Sequence, residues 1–183
     1  MSMIGMGIFP FLIYYLYAVV PLAPLVYLFI KWRAYRDGCP ADPWLGTAVL
    51  LHYFWTLALH LALFGLTLTL AGLLKGTGAE EINPGLGLLS AGVIALLATA
   101  FALNRVPRSS LRLQAWRVFN GLNLLLCGLV TLVALCAAAI MLFDGKITDL
   151  RLPLVALIIF GAAWSWFLRL LIFKTNKTGT NKG

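Results

Sequence analysis

Apolar side chains run through this chain in five long blocks, 8–30, 45–74, 85–104, 118–143 and 152–173, separated by short polar connections. Each block is long enough to cross about 30 Å of hydrocarbon as a helix, which takes about 20 residues. The pattern predicts an all-α, polytopic membrane protein: a bundle of five transmembrane helices in one domain, 1–173, followed by a polar, basic tail, 174–183. Asp42-Pro43-Trp44 and Asn83-Pro84 each set a capping side chain ahead of a proline suited to a first helical turn, so spans two and three are expected to begin there. Asp144-Gly145 reads as the turn between spans four and five. Pro10, Pro21 and Pro24 lie within or beside span one and predict a kink in it.

Polar residues inside the blocks are few and placed with a helical period. Helical positions advance by 100°, so on span two His52, Tyr53, Thr56, His60 and Thr67 fall within an arc of about 100°. Ala58, Ala62, Gly65, Thr69 and Gly72 cluster nearly opposite them. The second set is a small-residue ladder that lets another backbone approach closely; the first needs hydrogen-bonding company. Span two is therefore expected at the centre of the bundle, packed on both sides. Span four carries a matching stripe, Asn120, Asn123, Cys127, Thr131, Ala134 and Ala138, in an arc of about 80°. An unsatisfied amide or imidazole in hydrocarbon costs kilocalories, so the two stripes are expected to face each other or a shared wet cavity. Gly87, Ala91, Ala95, Ala98 and Ala102 on span three, and Gly161, Ala162 and Ser165 on span five, read as docking surfaces for other helices.

Composition supports the membrane assignment and excludes a water-soluble fold. Hydrophobic residues make up 62% of the chain and charged residues 11%, against roughly 45–50% and 25% in soluble domains. The distribution of charge adds an orientation. The first and third polar connections and the last helix end with its tail, Arg169 included, carry eleven of the 14 Lys and Arg residues, and the second and fourth connections carry three. Loops rich in Lys and Arg stay cytoplasmic, which predicts an external N-terminus and a cytoplasmic C-terminus. Asp37 and Asp42 fall on the inner side and Glu80, Glu81, Asp144 and Asp149 on the outer. The net +8 is thus an orientation signal, and no nucleic-acid partner is expected. "MSMIGMG" carries no positive side chain ahead of the first block, so span one is expected to remain as an anchor. The basic third connection, with Arg105, Arg108, Arg112 and Arg117, suits anionic lipid headgroups or an acidic partner on the cytoplasmic side of a bacterial-type inner membrane.

Candidate chemistry is sparse. The two histidines, eight residues apart, lie about 12 Å apart along the helix and about 80° apart around it, so they cannot ligate one iron together. A b-type haem would have to sit at a dimer interface. His60, near mid-membrane, reads either as a gate, relay or solute contact, or as a donor to a neighbouring carbonyl or polar side chain that locks helix register. Cys39 lies in a connection while Cys127 and Cys136 point to opposite faces of span four, which leaves neither a metal site nor a disulfide framework. All six acidic residues lie in connections. That argues against cation pores, proton-coupled transport and carboxylate- or metal-dependent hydrolysis. The sequence therefore reads as a non-enzymatic subunit or assembly partner of a membrane complex, its partners being the bilayer and other subunits or a second copy. A small channel or transporter for a neutral or anionic solute, lined by the two polar stripes, is the first alternative, and haem binding by a dimer the second.

Overall fold

The computed structural model of the chain describes residues 21–38, 42–76, 79–107, 109–145 and 149–179. Among these residues there are five helices and no strand: α1 (Leu22–Arg36), α2 (Leu45–Lys75), α3 (Ala79–Arg105), α4 (Ser110–Phe143) and α5 (Arg151–Gly179). Helices α2 to α5 each contain a stretch long and apolar enough to cross a membrane, as an integral membrane protein requires. α1, at 15 residues, is about 22 Å long. Most of the expected first span, with Pro10, lies outside the described residues. Pro21 and Pro24 occupy the N-cap and first turn of α1, where the missing N–H groups have no intrahelical partner to lose.

Hydropathy placed the C-terminal ends of the middle spans within a residue or so, but not all of the starts. α2 begins at Leu45, where the apolar block starts, but its N-cap is Trp44 with no side-chain cap; Pro43 precedes the helix and Asp42 Oδ1 accepts from Trp44 N at 2.9 Å in the turn before it. α3 begins at Ala79, before Asn83-Pro84, so Pro84 sits inside the helix and Asn83 is not its cap. As the sixth residue of the helix, Pro84 offers no N–H to the carbonyl four residues earlier, so one bond near the start of the helix is missing. α4 begins at Ser110, eight residues ahead of the apolar block, and Ser109 Oγ accepts from Arg112 N at 3.1 Å as a true N-cap. α5 continues to Gly179, into the expected tail. In each case the backbone satisfies its own hydrogen bonds past the point where side chains turn polar. Gly76 and Gly145, with φ of 68° and 70°, close α2 and α4 in the left-handed region that a side chain would strain.

α2 is the centre of the bundle and touches each of the other four helices. It meets α3 in an antiparallel seam of backbone against backbone. A Cβ added at Gly65 would lie 2.2 Å from Leu89 N, one at Gly85 2.6 Å from Thr69 N, and one at Gly92 2.5 Å from Ala62 N. All five residues of the small ladder, Ala58, Ala62, Gly65, Thr69 and Gly72, are buried. On α3, however, the face used is Gly85, Leu89 and Gly92. Gly87, Ala91 and Ala98, the expected docking row, lie about 130° further round and are exposed, with Ala95 half-buried. α5 packs against α2 through aromatic pairs: Trp55 with Phe167, centroids 6.4 Å apart, and Phe64 with Phe160, 5.1 Å apart. It meets α4 where Thr131 Cγ2 lies 3.8 Å from the Cβ position of Gly161, and where Trp164 covers Gly128.

Two arginines pin helix ends. The Arg112 guanidinium donates to Val106 O and to Leu103 O, the latter at 2.5 Å, and so caps the C-terminal carbonyls of α3. Arg151 Nη1 donates to Leu74 O at 2.8 Å and does the same for α2. Both place a positive charge where helix carbonyls lack partners and the dipole is negative.

Candidate functional site

The polar stripes of α2 and α4 meet. His52 stacks on Phe119, centroids 6.1 Å apart with planes at 20°, and His60 Nε2 lies 3.9 Å from Cys127 Sγ. His52, Tyr53, Thr56, His60, Asn120, Asn123 and Cys127 are all buried, none more than 6% exposed. The first two turns of α4, which the sequence reading left in a connection, contribute Leu111 and Ala115 to the apolar floor beneath this seam, together with Ile30, Ala34, Leu45 and Val49.

Each imidazole is oriented by its own helix. His52 Nδ1 lies 2.7 Å from Ala48 O, and His60 Nδ1 lies 2.9 Å from Thr56 O. A carbonyl can only accept, so the proton is on Nδ1 in both rings and the Nε2 lone pair of His60 faces the Cys127 thiol. The four-residue spacing puts each ring over the preceding turn of the helix, where its carbonyl is within reach. The hydroxyls follow the same rule where they can. Thr67 donates to Leu63 O at 2.8 Å, Thr69 to Gly65 O at 2.8 Å, and Thr131 to Cys127 O at 2.7 Å. Thr67, expected to reach across to span four, is thus satisfied within α2.

Three residues break the rule. Thr56 Oγ1, Asn120 Nδ2 and both polar atoms of the Asn123 amide are buried and make no hydrogen bond in the chain. A buried donor or acceptor left unmatched costs about 1–3 kcal/mol. Asn120 and Asn123 stand one turn apart on α4, along the seam with the stripe of α2 that carries Thr56.

The seam does not suit the haem arrangement left open by the sequence. Both imidazoles face α4 of their own chain, His52 against Phe119 and His60 against Cys127, so haem ligation across a dimer interface would require α4 to be displaced. Among the described residues no three of His, Cys, Asp and Glu converge to hold a metal ion.

The arginine row divides. Arg112, half-buried, donates from both terminal nitrogens to carbonyls at the end of α3. Arg105 lies over the Phe101 ring, 4.8 Å from its centroid, and Arg117 is exposed. Arg108 lies outside the described residues.

Sequence reasoning missed Phe119, which supplies the surface under His52, and the pair Gly85 and Gly92, which makes the α3 seam. Two glycines seven residues apart share a helix face, and that spacing was a usable signal. Comparison with protein-family models, curated proteins and solved structures finds no match.

Proposed function

We propose that this chain is a non-enzymatic integral membrane protein that serves as a subunit or assembly partner of a larger membrane complex, docking through α3. The observation that carries the reading is the one-sided attachment of that helix. Among the described residues α3 packs substantially on α2 alone. Its outward surface pairs the bulky Val93, Ile94, Leu97 and Phe101 with the small, exposed Gly87, Ala91 and Ala98. Acyl chains gain little from a row of small residues, whereas a second helix gains close van der Waals contact along it. The test is native mass measurement after extraction in mild detergent. The native chain is expected to travel with a second polypeptide or a second copy, and the Ala91→Leu, Ala98→Leu variant to lose it. A lone monomer in both preparations would falsify the reading.

The unmatched atoms of Thr56, Asn120 and Asn123 favour a second reading, a path for a small neutral or anionic solute along the α2–α4 seam. Flux in liposomes that disappears in Asn123→Leu would move the assignment there.

The proposed setting is a bacterial-type inner membrane with the C-terminus cytoplasmic, supported by the excess of Lys and Arg on one side. With the native cysteines replaced by alanine, Asp144→Cys is expected to react with an impermeant maleimide added outside intact cells, and Arg117→Cys only after lysis. The opposite pattern reverses the orientation.

A further inference from the structure

The register of α2 on α4 can be read from two contacts. His52 with Phe119 and His60 with Cys127 each join positions 67 apart in sequence, so the helices run parallel and keep one offset across this stretch. Midway between the two contacts the same offset sets Thr56 level with Asn123, and Tyr53 level with Asn120. Thr56 and Asn123 are 0% exposed and Asn120 is 3% exposed. Thr56 Oγ1, Asn120 Nδ2 and both ends of the Asn123 amide are unmatched, so the two residues at this level do not bond each other either. Unlike Thr67, Thr69 and Thr131, Thr56 does not return its hydroxyl to its own helix. One turn further along, the level is closed by the His60–Cys127 pair, and one turn back by the His52–Phe119 stack.

We propose that this level is a hydration site, one or two water molecules bound between Thr56, Asn120 and Asn123. The unmatched set comprises two amide nitrogens that donate, an amide oxygen that accepts and a hydroxyl that does both. Its ligand must therefore be neutral and both give and take hydrogen bonds. No Asp, Glu, Lys or Arg stands on either helix from His52 to His60 or from Phe119 to Cys127, so an ion there would meet no counter-charge. Buried polar groups that make no direct bond are the setting in which a bridging water forms. Buried waters typically make about three hydrogen bonds to groups that lack other partners, which this level supplies. The site goes beyond either proposed function, since a structural seam and a solute path would both contain it.

X-ray-pulse hydroxyl-radical footprinting of the full chain in detergent tests it. Radicals made in place from bound water oxidise side chains that are otherwise shielded. Cys127, 0% exposed and one turn from Asn123, reports on the site, while Tyr35, 88% exposed in the charged end of α1, reports on bulk water. The expected result is oxidation of both side chains in the native protein. In Thr56→Val, Asn123→Leu, oxidation should be lost at Cys127 and kept at Tyr35. Should the double variant not fold, Thr56→Val alone, close to isosteric, is expected to lower the signal at Cys127 with Tyr35 unchanged. Absence of oxidation at Cys127 in the native protein, or equal oxidation in a folded variant, overturns the proposal.

Discussion

Gly65→Val is expected to push α2 and α3 apart and to cost about 3 kcal/mol or more, the upper part of the range for overpacking. The first added atom alone would lie 2.2 Å from Leu89 N, 2.7 Å from Leu89 Cα and 2.8 Å from Leu88 C. These are backbone atoms of a helix, so no rotamer change relieves the clash; the whole of α3 must retreat. Nor can the seam reform with a modest gap, because helix association within lipid rests largely on close van der Waals contact, which fades within an ångström. Gly121→Val is the control. A Cβ there meets nothing within 4 Å, and its effect is expected to stay within about 0.5 kcal/mol. Reversible unfolding in mixed micelles, followed by circular dichroism, measures both. Equal stability of the two variants would show that the α2–α3 seam is not as close as described.

Phe160→Ala is expected to cost about 3 kcal/mol, the lower end of the range for removing a buried phenylalanine. The ring is 0% exposed where α5 meets α2 and α4, against Phe64 and in one cluster with Cys127 and Phe167. The lower end applies because a chain unfolded in detergent or lipid still shelters its phenylalanines from water, so the transfer part of the cost shrinks. The cavity and the lost dispersion contacts remain. Phe143→Ala, removing a ring that is 93% exposed, is expected to be near neutral by the same micelle titration. A drop at Phe160 no larger than at Phe143 would mean that the three-helix junction does not hold α5 in place.

The polar seam was legible in the sequence because burying an unmatched polar group is costly and helical spacing is regular. His52, Thr56 and His60 on one helix and Asn120, Asn123 and Cys127 on another left few arrangements that kept all six out of lipid. The central place of α2 followed from its two non-lipid faces. The face of α3 was less legible: alanines at 91, 95, 98 and 102 outnumber the glycines at 85 and 92, yet only glycine allows backbones to touch as closely as at Gly92 and Ala62. Helix starts were illegible to hydropathy, which follows side chains, since the helical backbone of α3 and α4 extends well into polar sequence. The role of Arg112 depends on where α4 starts relative to the end of α3. That places its guanidinium under carbonyls six and nine residues away, and no spacing rule anticipates it.

Because α2 and α4 run side by side in the same direction, α3 must return the chain before the second wall of the seam exists. While the ribosome is still making residues short of Phe119, the ring of His52 has nothing to stack on, and the thiol beside His60 has yet to be synthesised. Synthesis of this protein therefore includes an interval in which α2 carries two histidines whose α4 neighbours do not yet exist. The glycine seam with α3, next off the ribosome, is what can hold that helix in the meantime.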